Sequence, residues 1–120
     1  MRFIPTKVHG VLDYIVGLLL IAVPWILNFN KTGAETIVPI AIGAITLLYS
    51  LFTDYEMGLV RRIPMHTHLT LDILAGIVLA SSPWVFGFSN HVTAPHLLIG
   101  IFEIGAGLTT YTVPAECRTC

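Results

Sequence analysis

At 120 residues the chain has room for one small domain and none for a separate soluble catalytic domain. Hydrophobic residues make up 55% and charged residues 11%, and the mean hydropathy is +0.82, so a water-soluble fold would lack the polar residues to cover its surface. Six Lys and Arg against seven Asp and Glu leave a net charge of -1, no basic footprint for nucleic acid, and a lipid bilayer as the expected medium.

Crossing about 30 Å of hydrocarbon takes roughly 20 mainly apolar residues in a helix. The first such run is 8–27; it resembles a secretory leader, but its internal copy further along argues for a retained span. The second is 36–53, the third 66–86 and the fourth 95–113, the last opening on Pro95, a residue suited to a first helical turn. The connections 28–35, 54–64 and 87–94 are short and rich in breakers, among them Gly33, Gly58 and Pro64, so successive helices are expected to be antiparallel neighbours. The expected fold is an all-α membrane protein of four transmembrane helices built from two parallel helix-pair repeats.

The repeats are visible as residue matches. Arg2, Pro5, His9, Asp13, Gly17, Leu20, Pro24, Trp25 and Phe29 recur 59 positions later as Arg61, Pro64, His68, Asp72, Gly76, Leu79, Pro83, Trp84 and Phe88. A constant offset across such mixed residue types reads as internal duplication. The second and fourth spans align at offset 62, where Ile42-Gly43-Ala44 meets Ile104-Gly105-Ala106, Tyr49 meets Tyr111, Asp54 meets Glu116, and Glu103 has the uncharged Ala41 as its mate. One domain over 1–120 therefore contains repeats at about 2–54 and 61–116, related by a pseudo-twofold axis along the membrane normal. Arg2, Lys7, Arg61, Arg62 and Arg118 fall on one side and only Lys31 on the other, which places both termini in the cytoplasm.

At roughly 100° per residue, His9, Asp13, Gly17, Leu20 and Pro24 form one stripe about 80° wide, and so do their copies. These stripes are expected to face protein and to bring the first and third spans together. Trp25 and Phe29 fall away from the stripe, toward lipid or its headgroups. Pro24-Trp25 and Ser82-Pro83-Trp84 lie at the span ends, where indole rings anchor at the interface. Each proline also frees a carbonyl four residues earlier, at Leu20 and Leu79.

Two apolar spans ending in Pro-Trp, the second reading Ser82-Pro83-Trp84-Val85-Phe86-Gly87-Phe88 and each followed by another span, resemble the SPW-repeat family of small bacterial integral membrane proteins. The resemblance covers nearly the whole chain; the first copy departs from it with Val23 in place of the serine. It implies a multipass protein of the bacterial inner membrane and carries over no activity, cofactor or catalytic residue.

The candidate intramembrane polar site is His9, Asp13, His68, Asp72 and Glu103. His9/Asp13 and His68/Asp72 are spaced i,i+4 and can touch on one helix face. The preferred reading is that each pair satisfies itself and ties the first and third spans together. Proton or ion conduction is the alternative, and metal binding by the two histidines and two aspartates a third reading. Glu103 lies on a small-residue face with Gly100, Gly107 and Thr110, and Thr46 or Ser50 of the second span could hydrogen-bond it. His91 and His96 flank an outer loop and are expected to be solvated or interfacial. Cys117 and Cys120 form a Cys-x-x-Cys on a cytoplasmic tail, where an ordinary solvated role is expected.

No phosphate-binding glycine loop, Gly-x-Ser-x-Gly or His-Glu-x-x-His is present, so enzymatic chemistry is not expected and no cofactor, metal or catalytic residue is assigned. The reading is a small multipass membrane protein of structural or interaction type, with the bilayer and either further copies of itself or another membrane protein as partners.

Overall fold

The structure is a computed structural model, and it describes residues 1–114. Four helices follow one another: α1 (Thr6–Ile26), α2 (Ala34–Leu51), α3 (Met65–Val85) and α4 (Ala94–Thr109). No strand occurs among the described residues. The first three helices are long and apolar enough to cross a membrane. α4 has 16 residues, about 24 Å at about 1.5 Å per residue, and is shorter than the expected 95–113. It stops because Thr110 turns extended, at ψ 145°, to join a different interaction. The Cys-x-x-Cys, Arg118 and Glu116 lie outside the described residues.

α1 packs on α2 and α3 on α4, and these close pairs are joined more loosely along the α2–α3 and α1–α4 seams. The glycines set the pairing. A Cβ on Gly17 would meet Leu47 of α2 and the Gly43 carbonyl at 3.2 Å; a Cβ on Gly76 would meet Ile104 of α4 and the Gly100 carbonyl at 2.7 Å. Absence of a side chain lets the backbones approach, the usual use of small residues between apolar helices. Gly17 and Gly76 therefore do not face each other across α1 and α3, as the stripe had suggested; each serves its own helix pair.

Those contacts relate α2 to α4 at offset 57, not 62. Gly43 stands where Gly100 stands and Leu47 where Ile104 stands. The backbone bonds at the helix ends agree: Ile4 N–H donates to the Thr109 carbonyl as Ile63 N–H donates to that of Phe52, and Tyr111 N–H to the Ile4 carbonyl as Asp54 N–H to that of Ile63. The resulting parallel bridges, Ile4 with Thr110 and Ile63 with Thr53, hold the chain just after each second helix beside the start of the opposite pair. At this offset the counterpart of Glu103 is Thr46, and that of Tyr49 is Ala106.

At the other end of the bundle, α1 and α3 finish alike. Asn28 and Gly87 take left-handed φ values of 58° and 73°, and Phe29 and Phe88 return their N–H groups to the carbonyls of Pro24 and Pro83, closing each helix C-terminus. The Ser82 hydroxyl donates to the Leu79 carbonyl at 2.7 Å, the acceptor left without an N–H partner by Pro83. This gives the serine of Ser-Pro-Trp a physical role, one that Val23 cannot fill in the first copy. Trp25 and Trp84 are exposed, as expected of interfacial anchors, whereas Phe29 and Phe88 are buried. Both rings pack against His96, with centroids at 5.5 and 4.8 Å. His96 is accordingly buried, not solvated, and its Nε2–H donates to the Glu35 carbonyl at 2.9 Å.

The bundle interior thus has three levels. Phe29, Phe88 and His96 close one end, Val16, Leu20 and Leu79 fill the middle, and the ionisable side chains gather at the end where α1 and α3 begin.

Candidate polar site

His9, Asp13, His68 and Asp72 converge from the first two turns or so of α1 and α3, and all four are buried, at 0 to 3% exposure. Their shortest contacts are crosswise between helices. His9 Nε2 lies 2.8 Å from Asp72 Oδ2, and His68 Nε2 lies 2.8 Å from Asp13 Oδ2. The i,i+4 contacts within each helix are longer, 3.2 Å for His9 with Asp13 and 3.3 Å for His68 with Asp72. The sequence spacing found the four residues but suggested that each pair satisfies itself; the structure makes them one interlocked unit. The two imidazoles meet edge to face with centroids 5.5 Å apart.

The surrounding hydroxyls determine where the hydrogens lie. Thr110 Oγ1 is 2.7 Å from the Ala106 carbonyl and 2.8 Å from His9 Nδ1. A carbonyl only accepts, so the single hydroxyl hydrogen goes to Ala106 and His9 Nδ1–H donates to Thr110. Thr53 repeats the arrangement, donating to the Tyr49 carbonyl at 2.7 Å and accepting from His68 Nδ1–H at 2.7 Å. Both Nε2 atoms therefore point inward at a carboxylate oxygen 2.8 Å away. That distance requires one proton between each nitrogen and oxygen, whichever atom holds it. Two protons, two imidazoles and two carboxylates make a unit of zero net charge, which is how four ionisable groups can stay out of water.

The two aspartates differ in their remaining support. Asp72 Oδ1 accepts from the Tyr49 hydroxyl at 2.5 Å, and Tyr49 in turn accepts from Thr46 at 3.3 Å. Asp13 has only Ser50 in addition, at 3.4 Å. The difference follows from the sequence, because Ala106 occupies the position equivalent to Tyr49. The 54–64 connection covers this end of the bundle. Tyr55 packs its ring on His68 with centroids 5.4 Å apart, Tyr14 donates to the Met57 carbonyl at 2.8 Å, and Thr6 donates to Glu56.

Glu103 is buried on α4 at 3% exposure, beside Gly76, and forms no hydrogen bond with another described residue. Thr46 and Ser50, considered as its partners from sequence, instead bond Tyr49 and Asp13. Glu103 is thus near the four-residue unit in the fold without being bonded into it. Sequence reasoning does not give the bonds of Thr53 to His68, Thr110 to His9 or Tyr49 to Asp72. The first two follow from the 57-residue offset, whereas the 62-residue offset pairs Tyr49 with Tyr111 and hides its difference from Ala106.

The ending of α3 in Ser82-Pro83-Trp84, the matching Pro24-Trp25 and a polar unit shared between two similar helix pairs can be compared with known families. The chain matches the SPW repeat domain over residues 7–110, which is most of its length. It belongs to the SPW repeat family. Neither a curated protein nor a solved structure matches it. The family match and the apolar helices make this SPW repeat protein a membrane protein, and the match includes all four residues of the interlocked unit.

Proposed function

We propose that this SPW repeat protein is a structural or interaction module of the bacterial inner membrane, made of two duplicated helix pairs clasped together by His9, Asp13, His68 and Asp72. The observation that carries the reading is the closure of the site: every inward-facing nitrogen and carboxylate of the four residues is taken up by another protein group. A relay would leave an end of its hydrogen-bond chain available to the next carrier, and Glu103, the next ionisable group in the span, is not bonded to the unit. The outer faces of all four helices are apolar, with Leu18, Ile45, Val78 and Phe102 among their exposed residues. They meet lipid and, on this reading, a second subunit, either another copy or a different membrane protein.

The decisive measurement is proton flux into liposomes containing the purified protein and a pH-sensitive dye. We expect no flux above that of empty liposomes from the parent or from Glu103→Gln, both remaining folded. Flux in the parent that disappears in Glu103→Gln would replace the clasp reading with a proton pathway.

The proposed orientation has both termini in the cytoplasm and the 28–35 and 87–94 connections outside, following the five-to-one bias of Lys and Arg. With the native cysteines replaced, Lys31→Cys is expected to react with an impermeant thiol reagent in intact cells and Arg61→Cys to remain unlabelled. The opposite labelling would reverse the topology.

A further inference from the structure

We infer that the His9/Asp13/His68/Asp72 clasp is a binding site for one tetrahedral divalent cation, with zinc as the natural occupant. The inference rests on the clasp reading and names what the clasp can hold beyond its two protons.

Three observations support it. First, one ligand atom from each of the four residues lies within 4.8 Å of all the others, in a fully buried group. An ion bound at about 2.0–2.1 Å to four tetrahedral ligands holds neighbouring ligand atoms about 3.3–3.4 Å apart. The nitrogen–oxygen contacts are 2.8 and 3.3 Å to Asp72 Oδ2, 2.8 Å to Asp13 Oδ2 and 3.2 Å to Asp13 Oδ1, so an ion needs one Asp13 oxygen to turn toward both histidines and the two shortest contacts to open by about half an ångström. Separations shorter than those around an ion are what shared protons produce.

Second, the supporting hydrogen bonds are those that a metal site needs. A histidine ligand has its other ring nitrogen fixed by an acceptor, which sets the tautomer and aims the lone pair. Thr110 does this for His9 and Thr53 for His68, leaving both Nε2 atoms directed inward. Tyr49 fixes Asp72 in the same way, through the oxygen that does not face the histidines.

Third, charge balances. The clasp holds two protons among two neutral imidazoles and two carboxylates. A divalent cation takes their place, two protons leave to solvent, and the net charge of the buried unit stays at zero. A monovalent cation displaces only one proton, so the other stays on one histidine–aspartate pair and the ion is left without all four ligands; a trivalent one would leave a positive charge in the membrane interior. Two imidazoles with two carboxylates suit zinc, whereas magnesium and calcium prefer six or more oxygen ligands.

The test uses the full chain with Cys117→Ser and Cys120→Ser, so that the tail thiols cannot contribute ligands. Cells are grown with added zinc or cobalt(II), because the four side chains are buried and an ion enters most readily during folding; the protein is then purified by gel filtration in detergent. We expect about one ion per chain, cobalt giving the intense visible absorption of a tetrahedral site, with the signal lost in His9→Gln and in His68→Gln. Thr110→Val leaves all four ligands in place and is expected to weaken cobalt binding about 10- to 100-fold by releasing the His9 ring. A folded parent that retains no ion, or a cobalt spectrum unchanged by both histidine substitutions, overturns the site. Failure of the clasp itself reads differently: it would leave the thermal stability of Asp72→Asn equal to that of the parent when both are measured with a chelator present.

Discussion

Asp72→Asn is expected to lower the unfolding free energy by about 3–5 kcal/mol, the cost of breaking a buried ion pair by removing one partner. Asp72 shares a proton with His9 at 2.8 Å, accepts from Tyr49 at 2.5 Å and lies 3.3 Å from His68 Nε2. An amide keeps the shape but offers only one accepting atom. With its oxygen held by Tyr49, the amide turns an N–H₂ group toward both Nε2 atoms, and His9 loses the carboxylate that balances its charge when it holds the shared proton. Asp13→Asn disturbs the same unit but has only Ser50, at 3.4 Å, outside the histidines, so its effect should be the smaller. Thermal or denaturant unfolding in detergent with a chelator present gives the comparison. Equal stability of Asp72→Asn and parent would show that the four residues do not hold the two helix pairs together.

This asymmetry marks the limit of what the repeat made legible. Offset 59 is carried by whole side chains that recur, including His9 with His68 and Asp13 with Asp72, so the four residues stand out in the sequence alone. Helix existence and the exposed tryptophans were legible for the same reason: a long apolar run and an indole at its end each follow from the solvent they occupy. Offset 62 was misleading because Ile-Gly-Ala is a common composition in apolar helices and matches by chance. What relates α2 to α4 is contact, Gly43 and Gly100 each beneath an opposing backbone; at that offset Thr36, Ile42, Gly43, Leu51 and Thr53 recur as Thr93, Ile99, Gly100, Leu108 and Thr110, a scattered set without the ionisable and aromatic residues that mark offset 59. Phe29 and Phe88 were misplaced because helical angles were extended beyond the helix. Asn28 and Gly87 break the period with a positive φ and turn the next ring inward onto His96. The crosswise pairing of the clasp could not be read from i,i+4 spacing, since that spacing describes one helix and the preferred partner stands on another.

The glycine contacts lead to the second large effect. Gly43→Ala and Gly100→Ala are expected to destabilise the protein by about 1–3 kcal/mol each through overpacking, while Gly105→Ala stays within about 0.5 kcal/mol of the parent. A Cβ on Gly43 would lie 2.6 Å from the Gly17 carbonyl oxygen, and one on Gly100 would lie 2.6 Å from the Ala80 nitrogen and 2.7 Å from the Gly76 carbonyl oxygen. These are backbone atoms, so the strain cannot be relieved by turning a side chain, and the helices of the pair must separate. A Cβ on Gly105 meets nothing within 4 Å, although Gly105 sits in the same helix two turns or less from Gly100 and shares its helix propensity. Unfolding of the three variants in one detergent separates close approach from propensity. A similar loss in Gly105→Ala would mean that glycine flexibility, not backbone contact, governs the pair. If the loss is confined to Gly43 and Gly100, each helix pair is a rigid unit held by its own glycines. The pairs then meet through the clasp and the end bridges at Thr53 and Thr110, so Gly100→Ala combined with Asp72→Asn should destabilise by close to the sum of the two single effects, as expected for sites with no shared partner.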